Sequence, residues 1–231
     1  MLTATRPLAT ATVRAPIRRI LLVTPGGKWS THDVFVGLHR GFQAIGVDSF
    51  PFDTSQHLEE ANEWVKLLRQ MRGGGDFDSA DEYMAASTWA VDEKAIIRAL
   101  SVRADAVVVI TGFLFCPQMT ALFHHAGLPV YLYCTESPYD DDIQLGMVPW
   151  YAVATTNDRG SLPAFEAAAE AGGRGTWVMH LPLGYDPQTH FPGAGADLDL
   201  APAHDVVFVG NVFPSREKFL RVVDWRGEGI D

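Results

Sequence analysis

The stretch ADAVVVITG, residues 104–112, narrows the folds open to this chain more than any other. From Ala106 to Ile110 no polar residue interrupts the run, so a strand here has to be covered on both faces, as the inner strands of parallel sheets are. The Thr-Gly pair that follows is a turn signal. Shorter runs repeat this grammar. Ile20 to Val23 lead into TPGGKWSTHD, and Pro129 to Cys134, Tyr151 to Thr155 and TWVMHL supply further strands. VDSFPFD is the second strand in chain order.

Helical periods separate the strands. Val34, Leu38, Phe42 and Ile45 recur at helical spacing after a start that Ser30 or Thr31 can cap, and Gly46 marks the stop. A helix from Ser55 to about Arg72 places Leu58, Ala61, Trp64, Val65 and Leu68 on one side. GGGDFDSAD interrupts it, and a second helix runs to about Val102. Pro117 to Ala126 forms a short helix, and Leu162 to Ala171 a longer one closed by Gly172 and Gly173. Strands alternating with helices specify an α/β fold with a doubly wound, Rossmann-like parallel sheet and right-handed crossovers.

Composition excludes several classes. Apolar residues make up 47% of the 231 residues and charged ones 20%, as in a soluble chain with a substantial core. The net charge is −10, yet residues 1–28 carry five basic residues and no acid, leaving about −15 on the remainder. Such a body repels a phosphate backbone, so nucleic acid is not the expected partner. No apolar run reaches the roughly 18 residues of a membrane span. Cys116 and Cys134 lie in or beside apolar runs and read as buried free thiols of a reducing, cytoplasmic compartment. Residues 1–17 read as a flexible tail, 18–186 as the first domain and 187–203, rich in Gly, Pro, Ala and Asp, as a linker. Residues 204–231 then begin a new strand, turn and helix.

In doubly wound sheets ligands sit beyond the carboxyl ends of the strands, which directs attention to five loops: 25–31, 112–117, 135–142, 157–160 and 181–186. Gly26 and Gly27 let backbone N–H groups approach an anion or a sugar hydroxyl. The loop is neither GxGxxG nor a P-loop, since Trp29 follows Lys28. His32 and Asp33 fall in the first helical turn, where an imidazole could take a proton near neutral pH; a plain capping run is the alternative. Glu136 follows a buried strand and either meets ligand hydroxyls, acts as a base or caps the next helix. Asp140, Asp141 and Asp142 suit either a hard cation or, more simply, an acidic helix start favoured by the helix dipole. Asn157 bonds a substrate or makes an Asx turn, Gly184 permits a tight turn, and His180 and His190 lack metal spacing.

Four segments in order, ILLVTPGG, YLYCTESPYD, VMHLPLGYDPQTHF and DVVFVGNVFPSREKFL, resemble GT-B glycosyltransferases, in particular the CgeB-like group of spore maturation and sugar-transfer proteins. The resemblance covers most of residues 18–220. It implies two Rossmann-like domains facing across a cleft: an N-terminal one that binds the acceptor and a C-terminal one that holds a nucleoside diphosphate sugar. It places Gly210, Asn211, Arg216 and Lys218 at the donor, sets His32 near the base of some relatives, and implies catalysis without a metal, with helix dipole and cations stabilising the departing diphosphate. The implied activity is sugar transfer from a nucleoside diphosphate sugar to an unknown acceptor. The later part of a donor domain has no counterpart in the 231 residues, so the expectation is a fragment, a half completed by a partner chain, or a degenerate protein. The contrasting reading is a non-catalytic sugar- or nucleotide-binding module that acts with a partner.

Overall fold

A computed structural model describes residues 16–26, 31–71, 73, 80–190 and 214–223. They fall into two compact units, Met1–Asp186 and Pro187–Asp231. The first holds six strands: β1 (Arg19–Val23), β2 (Asp48–Phe52), β3 (Ala106–Ile110), β4 (Val130–Tyr133), β5 (Val153–Thr156) and β6 (Trp177–His180). Its helices are α1 (His32–Ala44), α2 (Thr54–Met71), α3 (Ala80–Ser101), α4 (Thr120–His125), α5 (Asp141–Met147) and α6 (Leu162–Gly172). Short 3₁₀ turns precede α4 and follow α5.

All strand pairs are parallel and the sheet order is β2-β1-β3-β4-β5-β6. The expected doubly wound sheet is therefore present. Every residue of β3 is buried, as its unbroken apolar run requires. β2 lies at an edge, which is why it tolerates Pro51. The chain steps one way from β1 to β2 and the other way for every later strand. Right-handed crossovers then put α1 on one face and the other helices on the opposite one. Accordingly, Val34, Phe35, Leu38 and Phe42 of α1 pack on Ile20, Leu22, Val108 and Ile110. Ala61, Val91, Ala95, Phe123, Met147 and Phe165 pack on Leu21, Val107, Val109 and Leu132.

The glycine stops behave as expected. Gly46 has φ 77° after α1, and Gly173 caps α6 with φ 61°. Thr31 occupies the N-cap position of α1, but its side chain makes no capping bond; its carbonyl accepts from Phe35 N–H. Ser30 lies outside the described residues. Gly184 does not adopt a positive φ, so residues 181–186 are not the tight turn expected there.

Trp64 departs from the expected core stripe, being 52% exposed. The cause is the reach of the α2–α3 hairpin. Asp92 of α3 bonds the loop after β3, so the turns of α3 before Asp92 extend past the carboxyl edge of the sheet. The outer part of α2 follows them and meets α3 rather than strands, through Arg69–Glu82 and Lys66 over Tyr83. Nearer the sheet, Lys94 and His57 bond Glu60 and hold its carboxyl down at about 2.

In the second unit the described element is α7 (Pro214–Val222), with an Arg221–Glu217 ion pair and Phe219 exposed. The strand expected over Val206 to Val209 lies outside the described residues.

Candidate functional site

The strand order reverses between β1 and β3, and in doubly wound sheets this is where a crevice opens beyond the carboxyl ends. Its walls are the segments after β1, β3 and β4. After β1, Gly26 takes φ 87°, and any Cβ there would overlap the Leu114 side chain from the β3 loop. The two loops are thus in contact across the switch point, with glycine as the residue that permits it.

The backbone leaving β3 is strained. Thr111 has φ 59°, a conformation that β-branched residues rarely adopt and that costs about 1–3 kcal/mol. Gly112 follows at φ 80°, and its N–H donates to Ile110 O at 2.7 Å, closing a three-residue turn. The neighbouring strand secures the turn, since Thr111 N–H donates to Tyr133 O at 2.9 Å. Within it the Thr111 hydroxyl is buried without a partner among the described residues, and so is that of Thr155 on β5. Strain and orphaned hydroxyls at a strand terminus are features that concentrate at binding sites.

After β4 the chain turns through Thr135–Asp140. Glu136 is partly exposed; its carboxylate accepts from the Thr135 hydroxyl at 3.3 Å, and its carbonyl accepts from Tyr139 and Asp140 N–H. Ser137 is held from the β5 side. Asn157 Oδ1 accepts from Ser137 N–H at 3.1 Å, and Asn157 Nδ2 donates to Ser137 O at 3.2 Å. Both ends of the Asn157 amide thus grip one residue of the adjacent loop rather than closing an Asx turn. Asp140 sits at the N-cap of α5 without a side-chain bond, Asp142 is exposed, and Asp141 accepts from Ser161 Oγ at 2.5 Å. Among the described residues no three His, Cys, Asp or Glu side chains group closely enough to hold a metal.

The sequence-derived candidates divide as follows. His32 and Asp33 are exposed in the first turn of α1, where His32 tilts over Phe35 at 5.9 Å. Glu136 follows β4, two strands from the β1 that precedes α1, on the same carboxyl edge. Gly26 is at the switch point. Gly27, Gly210 and Asn211 lie outside the described residues; Arg216 lies in α7 with its side chain not described, and Lys218 is exposed on α7. Residues missed from sequence include Thr111 and the Arg40–Asp186 pair, at 2.6 Å with Asp186 only 7% exposed. That pair ties the segment after β6 to α1.

Two surface hollows lie at the other end of the sheet. One is lined by Glu166, Gly173, Thr176 and Trp177, the other by Gln43, Gly46, Asp48 and Phe50. Both open at the amino ends of edge strands, the end at which such sheets do not ordinarily bind ligands. No helix among the described residues is long and apolar enough to cross a membrane.

No family model matches the chain, and no curated protein matches it. Among solved structures it is similar to an E. coli trehalose-6-phosphate structure bound with UDP-2-fluoro glucose, at 12% identity, 74% coverage of this chain, 50% of that one and TM-score 0.44. A trehalose-6-phosphate synthase studied with bisubstrate glycomimetics matches at 10% identity, with the same two coverages and TM-score 0.44. The glycosyltransferase SnogD from Streptomyces nogalater matches at 17% identity, over 91% of this chain and 56% of that one, with TM-score 0.38. The chain spans about half the length of these proteins.

Proposed function

We propose that this chain is the acceptor-side half, with the first part of a donor domain, of a GT-B-like glycosyltransferase of the CgeB-like group. It moves a sugar from a nucleoside diphosphate sugar to an acceptor hydroxyl. The observation that carries the reading is the crevice at the β1/β3 switch point, where Gly26 and the Thr111–Gly112 turn bring the backbones of two loops together at the carboxyl edge. The ordered segments that resemble the family, from ILLVTPGG to DVVFVGNVFPSREKFL, give that crevice its assignment to sugar transfer.

In this reading His32 or Asp33 takes the acceptor proton, with Glu136 as the other carboxylate at the same edge. Gly26 and Gly27 approach the donor through backbone N–H groups. Gly210, Asn211, Arg216 and Lys218 meet the diphosphate, where cations stabilise the leaving group. No resident metal is assigned to the site.

His32→Ala in a form with a complete donor domain is expected to lower turnover 10²-fold or more, the usual contribution of a general base, with substrate binding little changed. Release of nucleoside diphosphate from UDP-glucose, GDP-mannose or TDP-glucose in the presence of acceptor checks this. Turnover within a few-fold of the parent removes His32 from the mechanism. The 231-residue chain assayed alone addresses the rival class: donor binding without turnover is the signature of a binding module.

A further inference from the structure

The crevice loop after β3 is secured from below by a buried carboxyl that no ligand-facing role requires. Asp92, on α3, has no exposed surface. Its Oδ2 accepts from Cys116 N–H at 2.8 Å, and its Oδ1 is buried without a partner among the described residues. At the other end of the same loop, the hydroxyl of Tyr151 lies 3.4 Å from where a Cβ on Gly112 would stand, and it too is buried without a partner. Each end of residues 112–116 thus rests on a buried polar group, Asp92 of α3 at one end and Tyr151, after α5, at the other.

We infer that Asp92 is a positioning residue that fastens the β3 loop through its bond to Cys116, and that the protonation state of its carboxyl sets how firmly that loop is held. The inference rests on the crevice being the ligand site, because the same loop carries Leu114 to Gly26. One N–H donor does not compensate a buried carboxylate, which ordinarily accepts several bonds when ionised. The neutral acid keeps the bond to Cys116 through one oxygen; ionisation calls for water at the other and so for an opening of the loop. Burial, only partly offset by the Cys116 N–H, pushes the Asp92 carboxyl up to about 8. The titratable groups around it are Cys116, Tyr151 and Cys134, each held in its neutral form chiefly by burial, with Asp141 beyond Cys134.

The sign follows. Between about pH 4 and 8 the unfolded chain carries Asp92 ionised and the folded one carries it protonated, so this group's contribution to stability declines with rising pH across that window and is level above it.

The test is a pH titration of the ligand-free 231-residue chain by ¹H–¹⁵N NMR and hydrogen exchange. The Cys116 amide should shift with a midpoint near 8, and exchange at Phe115 and Cys116, corrected for intrinsic rate, should quicken about tenfold across it. Asp92→Asn, which keeps an acceptor for Cys116, should abolish both changes and flatten the pH dependence of the urea midpoint. A Cys116 amide that stays level from pH 6 to 9.5, or that moves identically in Asp92→Asn, overturns the inference. The wild-type titration stands should the variant fail to fold. UDP-glucose affinity measured on both sides of the transition separates the two readings. Affinity lost with loop order supports the positioning role, affinity unchanged across the transition refutes it, and absence of binding at every pH with the titration intact counts against the crevice alone.

Discussion

Replacing Gly112 by alanine is expected to lower stability by about 2–4 kcal/mol. The residue takes φ 80°, and an added Cβ would stand 2.9 Å from Leu132 Cδ1 and 3.3 Å from Met147 Sδ. A left-handed conformation costs an L residue roughly 1–2 kcal/mol, and overpacking a core costs about 1–3 more. Leu132 and Met147 are both buried, so neither gives way at low cost. Gly46 provides the comparison: it takes φ 77° but has no atom within 4 Å of a Cβ. Gly46→Ala should therefore show the backbone cost alone. Urea unfolding of the two variants isolates the packing share, and equal losses would mean that the turn after β3 is not pressed against the core.

Asn157→Ala is the second large effect. Ser137 is 4% exposed, and its N–H and carbonyl both face the Asn157 amide. Truncation leaves two buried backbone groups without those partners, each worth about 1–3 kcal/mol, so a loss of about 2–4 kcal/mol is expected if water repairs part of the damage. Hydrogen exchange should quicken first over residues 134–140, the loop that presents Glu136. Asn157→Asp keeps an acceptor for Ser137 N–H but sets an oxygen against Ser137 O, so it should recover little. A urea midpoint unchanged in Asn157→Ala would show that the clamp is not what holds this loop.

These two sites mark where sequence reading works and where it stops. The unbroken run from Ala106 to Ile110 is legible because only a strand covered on both faces accommodates it, and the stops at Gly46 and Gly173 because a left-handed cap selects glycine. The crevice is legible as a place, since the alternation of strands and helices puts loops 25–31 and 112–117 at the carboxyl edge. Its supports are not. Asn157 and Ser137 are 20 residues apart, Asp92 and Cys116 are 24 apart, and Arg40 and Asp186 are 146 apart. No periodicity links such pairs; the fold has to form before either partner is visible.

Trp64 shows the same limit from the other side. Helical spacing assigns it to an apolar stripe, and the stripe exists, but the outer part of α2 has passed the sheet edge and, among the described residues, meets α3 instead. A period reports which residues share a face, not what that face meets. Thr111 is the reverse case. An ordinary-looking residue at the end of a strand turns out to hold a positive φ and a buried hydroxyl with no partner among the described residues, a conformation that its residue type gives no reason to expect.

The most direct measurement of the central claim is a ¹H–¹⁵N NMR titration of the 231-residue chain with UDP-glucose, GDP-mannose and TDP-glucose in turn. At least one of them should shift amides clustered at Gly26, Thr111 to Leu114 and Glu136, and Gly112→Ala should weaken the same response. Shifts confined to the hollows around Gly173 to Trp177 or Gly46 to Phe50, or no shifts with any donor at millimolar concentration, would contradict the claim.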